Sequence, residues 1–230
     1  MVREPISVLI LAGGRSRRMG QDKVWLPLEG VPMIERVVGR VVPVAGEILF
    51  SANAPARFAA LARTLPVPGR VVADLFPGAG PLAGIHAGLT TARHDLLLAL
   101  AADMPFVNLA LIQRMIGLAE GFDAVVPQTR HPETGELAWE PLHALYRRSC
   151  APAVAARLAA GERRIFSFFP DVRIRPLAPA EIAAVDPDAR SFFNINTPED
   201  WERALGYRSD AHGHKARCYG DMSGNEIAPT

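Results

Sequence analysis

Cysteine is nearly missing: the 230 residues contain Cys150 and Cys218 and no others. Two thiols build neither a disulfide framework nor a cysteine-rich zinc site. An excess of one charge is also missing, since 25 Lys and Arg face 24 Asp and Glu for a net charge of +1. That balance argues against a surface made to coat a polyanion, so no nucleic-acid partner is expected. No apolar run reaches the roughly 18 residues that a membrane helix needs, and no membrane association is expected. Arg3 and Glu4 precede a short strand-like run, with neither a long apolar stretch nor a small-residue cleavage site behind them. The start of the chain therefore does not read as a secretory signal, and a cytoplasmic location is expected. What the chain does have is 49% apolar residues, enough for a sizeable core, with 19 Gly and 20 Pro set between the apolar runs as turns.

The first half alternates two periodicities. Ser7 to Leu11 is an unbroken, β-branched-rich apolar run, the mark of a strand covered on both faces. Ile34, Val37, Val38, Val41 and Val42 then recur at helical spacing. Glu47 to Ala52 predicts a strand and Pro55 to Arg63 a helix. Arg70 to Ala73 predicts a strand ending at Asp74, Leu82 to Ala92 a helix weakened by Gly84 and Gly88, and Asp95 to Ala102 a central strand with Asp103 at its exit. Leu109 to Ala119 reads as a helix and Ala124 to Pro127 as a strand. Such alternation predicts an α/β protein, a mostly parallel sheet wrapped by helices, whose ligands bind beyond the carboxyl ends of the strands. Leu11 to Gly14, Asp74 and Asp103 all fall at those ends.

Beyond residue 127 the pattern is less regular. Gln128 to Glu140 predicts a loop or an exposed hairpin, Leu142 to Tyr146 a strand, and Ala151 to Ala160 a helix closed by Gly161. Phe192 to Asn196 reads as a strand running into Thr197-Pro198-Glu199-Asp200, a helix start with Thr as cap, Pro next and acids in the first turn. From Arg208 on, the chain is polar and aperiodic, and a flexible tail is expected. Its His212, His214 and Cys218 are better explained by that tail than by a metal site, and His86, His94, His131 and His143 are scattered without a nucleophile at motif spacing. Phe166, Phe168 and Phe169 are expected in the core rather than in a base-stacking platform.

The densest signal is Leu11-Ala12-Gly13-Gly14-Arg15-Ser16-Arg17-Arg18-Met19-Gly20-Gln21-Asp22-Lys23. Glycine lets backbone N–H groups turn toward phosphate oxygens, and the three arginines and Lys23 supply cations for the same anion. Behind a buried strand, this predicts an anion cradle. It is not a P-loop, because five residues separate Gly14 from Gly20 and Gln21 follows. It is not the dinucleotide fingerprint either, because Gly13 and Gly14 are adjacent.

The same stretch resembles the L-A-G-G-x-S-x-R-M-G-x-D-K signature of nucleotidyltransferases, and most of all that of the molybdenum cofactor guanylyltransferases. Asp74 with Pro77-Gly78 and Gly80-Pro81-Leu82-Ala83-Gly84, then Ala102-Asp103-Met104-Pro105, then Asn194-Ile195-Asn196-Thr197-Pro198-Glu199-Asp200 fit in the same order. The resemblance implies a three-layer Rossmann-like nucleotidyltransferase domain over residues 1–206, with 207–230 as the tail. It implies GMP transfer from GTP to the phosphate of molybdopterin, with release of pyrophosphate. Leu11, Ala12, Gly13, Gly14, Lys23, Asn53, Asp74 and Asp103 match nucleotide contacts, Asp103 also a Mg²⁺ ligand, and Arg18, Lys23 and Asp103 catalytic positions. Asn194 and Asn196 match the acceptor side, and cofactor-delivering or acceptor molybdoenzyme proteins are the implied partners. The Gly13-Gly14 pair, where many relatives carry Ala-Gly, tilts the base toward guanine. A CTP-dependent cofactor enzyme, a sugar-phosphate nucleotidyltransferase and a nucleotide-binding scaffold without turnover remain the alternatives.

Overall fold

Ile6–Leu11 forms the central strand β1, buried on both faces up to Leu11. The computed structural model describes residues 4–13, 23–52, 55–131 and 133–207. After a 3₁₀ turn at Lys23–Trp25 come a small hairpin, β2 (Pro27–Leu28) and β3 (Val31–Pro32), then helix α1 (Met33–Val41), β4 (Ala45–Ser51), α2 (Pro55–Arg63), β5 (Gly69–Val72), α3 (Pro81–Thr91) and β6 (Leu96–Ala101). The second half adds α4 (Leu109–Gly117), β7 (Ala124–Arg130), β8 (Leu137–Trp139), β9 (His143–Arg147), α5 (Ala151–Ala159), β10 (Ile174–Leu177), α6 (Pro179–Ala183) and α7 (Pro198–Gly206).

The sheet runs in the order β10-β7-β9-β6-β1-β4-β5, with β8 joined to the outer part of β7. β9 is antiparallel to both β6 and β7, β8 is antiparallel to β7, and the remaining pairs are parallel. Strand residues alternate between two cores. Val8, Ile10, Leu98 and Leu100 pack beneath α1, α2, α4 and α6, whereas Leu9, Leu97 and Ala99 pack against α3 and α5. The result is the expected α/β sandwich of three layers. The predicted helices and parallel strands up to α4 are present, with ends differing by a residue or two, and β7 runs three residues past its expected end at Pro127.

Gly84 and Gly88 weaken α3 on propensity, yet the helix forms, because these positions are where it approaches the sheet. A Cβ on Gly84 would stand 2.6 Å from Leu11 Cδ2 and 2.9 Å from Ser51 Oγ. Gly84→Val is therefore expected to cost about 1–3 kcal/mol through overpacking, against a helix-propensity gain of a few tenths. Chemical denaturation checks this.

One open alternative is decided and two sequence expectations change. Gln128–Glu140 takes the hairpin alternative, since Gln128, Thr129 and Arg130 pair with Trp139, Ala138 and Leu137. Phe192–Asn196 is not a strand. A 3₁₀ turn covers Arg190–Phe192, and the following residues cross the end of β6 without joining a ladder. Of the apolar residues that suggested a strand, Phe192 packs against the core beneath α1, α2, α4 and α6, whereas Ile195 packs in a small separate cluster with Leu28, Met33 and Ala204 beside Phe106, Phe193 and Trp201. Of the three phenylalanines expected in the core, Phe168 is fully buried, but Phe166 is exposed.

Candidate active site

The carboxyl edge of the sheet is stitched together just past the strand ends. The Ala12 N–H donates to the Ser51 carbonyl at 2.8 Å and the Ala102 N–H to the Leu11 carbonyl at 3.0 Å, which holds Ala12 against both neighbours of β1. Gly13 is exposed at that edge. Gly14, Arg15, Arg17, Arg18 and Asn53 lie outside the described residues, as does the segment from 208 on.

Lys23 occupies the middle of the site. Its ammonium donates to Asp103 Oδ2, to the Ile195 carbonyl and to Asn196 Oδ1, each at 2.8 Å. A lysine has three N–H donors, so all of them are used. The side chain is 8% exposed, which means these acceptors and not water solvate the charge. Asp103 follows β6 and keeps 21% of its side chain exposed. Its own carbonyl accepts the Ile195 N–H at 3.0 Å. Backbone and side chain together thus clamp the 194–196 segment to the end of β6.

The segment is held from the other side by α7. The Thr197 hydroxyl accepts the Asp200 N–H at 3.1 Å, and Asp200 Oδ2 accepts the N–H groups of Asn196 and Thr197 at 3.0 Å each. Burial pushes the Asp200 carboxyl up, but these hydrogen bonds outweigh it and hold it below its ordinary value. Asn194 stands two residues before Asn196, and its amide nitrogen donates to the Phe192 carbonyl at 3.5 Å.

On the far side of β1, Asp74 accepts a hydrogen bond from the Ser51 hydroxyl at 3.3 Å. Burial pushes its carboxyl above the ordinary carboxylate value, and the Ser51 hydroxyl offsets this only in part. A carboxyl with a raised folded-state pKa is destabilising once it ionises, so the cost is absent at low pH and develops as pH rises through the carboxylate range. Asp74→Asn keeps an acceptor for Ser51 and removes that cost. Its melting temperature is expected to exceed that of the wild type by about 1–2 °C at pH 7 and to match it at pH 3, as thermal unfolding at the two pH values would read.

The structure therefore brings Lys23, Asp103 and Asn196 into contact, with Leu11, Ala12, Gly13 and Asp74 along the same edge and Asn194 adjacent. The Ile195 carbonyl and the Ser51 hydroxyl were not foreseen. A carbonyl carries no sequence signal, whereas Ser51 sits beside the predicted Asn53. His143 is fully buried, which pushes its pKa down to about 4 despite Asp186 nearby, and burial also lowers His86. Neither pairs with a nucleophile among the described residues. No group of three or more His, Cys, Asp or Glu among those residues could hold a metal by itself. One hard oxygen is nevertheless available, because Lys23 engages Oδ2 of Asp103 and leaves Oδ1. That fits a Mg²⁺ ion that takes a single protein carboxylate, with waters and nucleotide phosphates as its other ligands.

Over residues 8–174 the sequence matches the family described as the MobA-like NTP transferase domain. It is 36% identical over 203 residues to the molybdenum cofactor guanylyltransferase of Desulfosudis oleivorans, across 87% of this chain and 95% of that protein. It is 38% identical over 196 residues to a Pelotomaculum thermopropionicum protein named "Probable molybdenum cofactor guanylyltransferase", across 85% and 90%. Among solved structures, molybdopterin-guanine dinucleotide biosynthesis protein A from Archaeoglobus fulgidus aligns with a TM-score of 0.71 at 30% identity, covering 87% of this chain and 97% of that one.

Proposed function

The chain belongs to the MobA-like NTP transferase family and is a nucleotidyltransferase, and we propose that it transfers GMP from GTP to the phosphate of molybdopterin. An acceptor phosphate oxygen forms the bond to the α-phosphorus of GTP, the bond from that phosphorus to the bridging oxygen breaks, and pyrophosphate leaves. The acceptor is already anionic at neutral pH, so neither a general base nor a covalent enzyme intermediate is needed. The difficulty is bringing two anions together, a repulsion of about 4 kcal/mol per unit-charge pair at 4 Å in a partly screened site. The protein's contribution is then positioning and charge neutralisation.

The observation that carries this reading is the threefold hydrogen bonding of Lys23. One ammonium joins Asp103, on the nucleotide side, to Ile195 and Asn196, on the acceptor side. With every N–H committed, Lys23 can bond a phosphate directly only by giving up one partner. Its first role is to hold the two halves of the site in register, and its charge lies where the phosphates would meet. Asp103 would hold Mg²⁺ through its remaining oxygen, and the ion, when bound, supplies further neutralisation of the nucleotide phosphates. Gly13 and the Ala12 backbone lie where the nucleotide would approach the end of β1. Arg18, Gly14 and Asn53 belong to the reading through the family signature. So do cofactor-delivering or acceptor molybdoenzyme proteins as partners and a cytoplasmic location. Among the described residues no helix is long and apolar enough to cross a membrane.

Pyrophosphate release in the presence of Mg²⁺ and molybdopterin, measured with GTP, CTP, ATP and UTP in turn, tests the proposal. Turnover is expected with GTP. Preference for CTP would transfer the assignment to the cytidylyl reaction, and no turnover with any nucleotide would favour a binding scaffold.

A further inference from the structure

Asp74 and Glu140 are the two carboxyls among the described residues in which burial outweighs the hydrogen bonding received, so that the pKa lies above its ordinary value. Glu140 lies in the short turn between β8 and β9. Its N–H donates to the Pro127 carbonyl at 2.9 Å and its carbonyl accepts the His143 N–H at 3.1 Å, so its backbone is fixed. The Thr129 hydroxyl donates to Oε1 at 2.6 Å. Among the described residues nothing else donates to this carboxylate, and no cation pairs with it. Other shielded acids are provided for differently: Glu47 faces Arg70 and Arg93, and Glu181 faces Arg175 and Arg114. A carboxylate offers about four lone-pair positions, of which Thr129 fills one. Pinning the hairpin does not require a charge, because glutamine would accept the same hydroxyl.

The turn belongs to the edge already described. β9 starts where β6 ends, with His143 opposite Leu100 and the Ala101 N–H on the Leu142 carbonyl at 3.0 Å. The segment that carries Asn194 and Asn196 crosses here too, the Phe192 ring lying 5.0 Å from that of His143. Glu140 is thus on the opposite side of β6 from Asp74 and β1.

We propose that Glu140 recognises the N–H edge of the acceptor's pterin ring, accepting from its 2-amino group and the neighbouring ring N–H. The inference rests on the guanylyltransfer reading and names what selects the acceptor. A 2-amino-4-oxopyrimidine edge presents two nearly parallel N–H donors, which match the fork of a carboxylate. The charged groups of molybdopterin, its dithiolene and its phosphate, are anionic and repelled by Glu140. The carboxylate therefore orients as well as binds, setting the ring at the β7–β9 end and the phosphate toward Lys23.

The test compares two competitive inhibitors, 6-hydroxymethylpterin phosphate and its lumazine counterpart, in which an oxo group replaces the 2-amino group. The wild type is expected to favour the pterin by about 10- to 100-fold in inhibition constant, the range for hydrogen bonds to a charged group. Glu140→Gln keeps the acceptor for Thr129 and should lose that preference while its KM for GTP stays unchanged. Glu140→Asp, one methylene shorter but still charged, should show a reduced preference, and Thr129→Val should retain it. Equal inhibition of the wild type by the two compounds, or an undiminished preference in Glu140→Gln, would overturn the inference. Failure of the wild type to turn over GTP with molybdopterin is a separate result, and it would overturn the guanylyltransfer reading itself.

Discussion

Asp103→Asn is expected to lower turnover by about 1,000-fold while the chain stays folded. The amide has the size of the carboxylate, and its oxygen can still accept from Lys23, whose other bonds to Ile195 and Asn196 do not involve this position. What disappears is the negative charge. Without it Oδ1 is no longer a hard anionic ligand, and the ammonium loses its counter-ion in a place where only 8% of its side chain is exposed. The stability loss should be about 1–2 kcal/mol, that of a charge-assisted hydrogen bond weakened to an ordinary one. Two measurements separate this from a folding defect. Thermal unfolding should show a cooperative transition, and Mg²⁺ should strengthen GTP binding in the wild type but not in the variant. Near-wild-type turnover would remove Asp103 from the reacting centre.

Lys23→Met should act on both substrates. It fills the same space but orphans three acceptors at once, the Asp103 carboxylate, the Ile195 carbonyl and the Asn196 amide oxygen. Because the lysine joins the nucleotide side to the acceptor side, KM for GTP and KM for molybdopterin should rise together, with kcat/KM falling about 100- to 1,000-fold. Stability should drop by about 1–3 kcal/mol. Arginine is not expected to rescue the variant, since a planar fork cannot meet three acceptors converging on one point as a compact ammonium does. A variant in which only the KM for GTP changed would mean that Lys23 is a phosphate contact alone.

Some elements of the fold show in the sequence and others do not, for physical reasons. β1 and β6 were legible because strands covered on both faces must be apolar throughout, and Asp103 stood out as the acid that ends such a run. α7 was legible from its cap, and the Thr197–Asp200 pairing is present as expected. Phe192–Asn196 suggests a strand because aromatic and β-branched residues signal burial, and here Phe193 and Ile195 pack against side chains of β2, α1 and α7 rather than within a sheet. β10 and α6 leave no readable pattern. β10 carries Pro176, which is tolerated because the strand lies at the sheet edge, and α6 is five residues long, too short for helical periodicity to show. At the site, the residue types were readable but their connection was not. Lys23 and Asn196 are 173 positions apart, and nothing in either local pattern indicates that one bonds the other. Glu140 carries no sequence signal for a similar reason, since within a polar hairpin an acid is ordinary until its shielding and its lack of a cation are known.

Determining the structure with GTP, Mg²⁺ and an unreactive acceptor analogue tests the central claim most directly. The account predicts the α-phosphate at the carboxyl edge of β1 and β6, beside Asp103 and Lys23, with the acceptor phosphate approaching it from the side of Asn196. A triphosphate bound at any other surface, with the Lys23 cluster untouched, would contradict it.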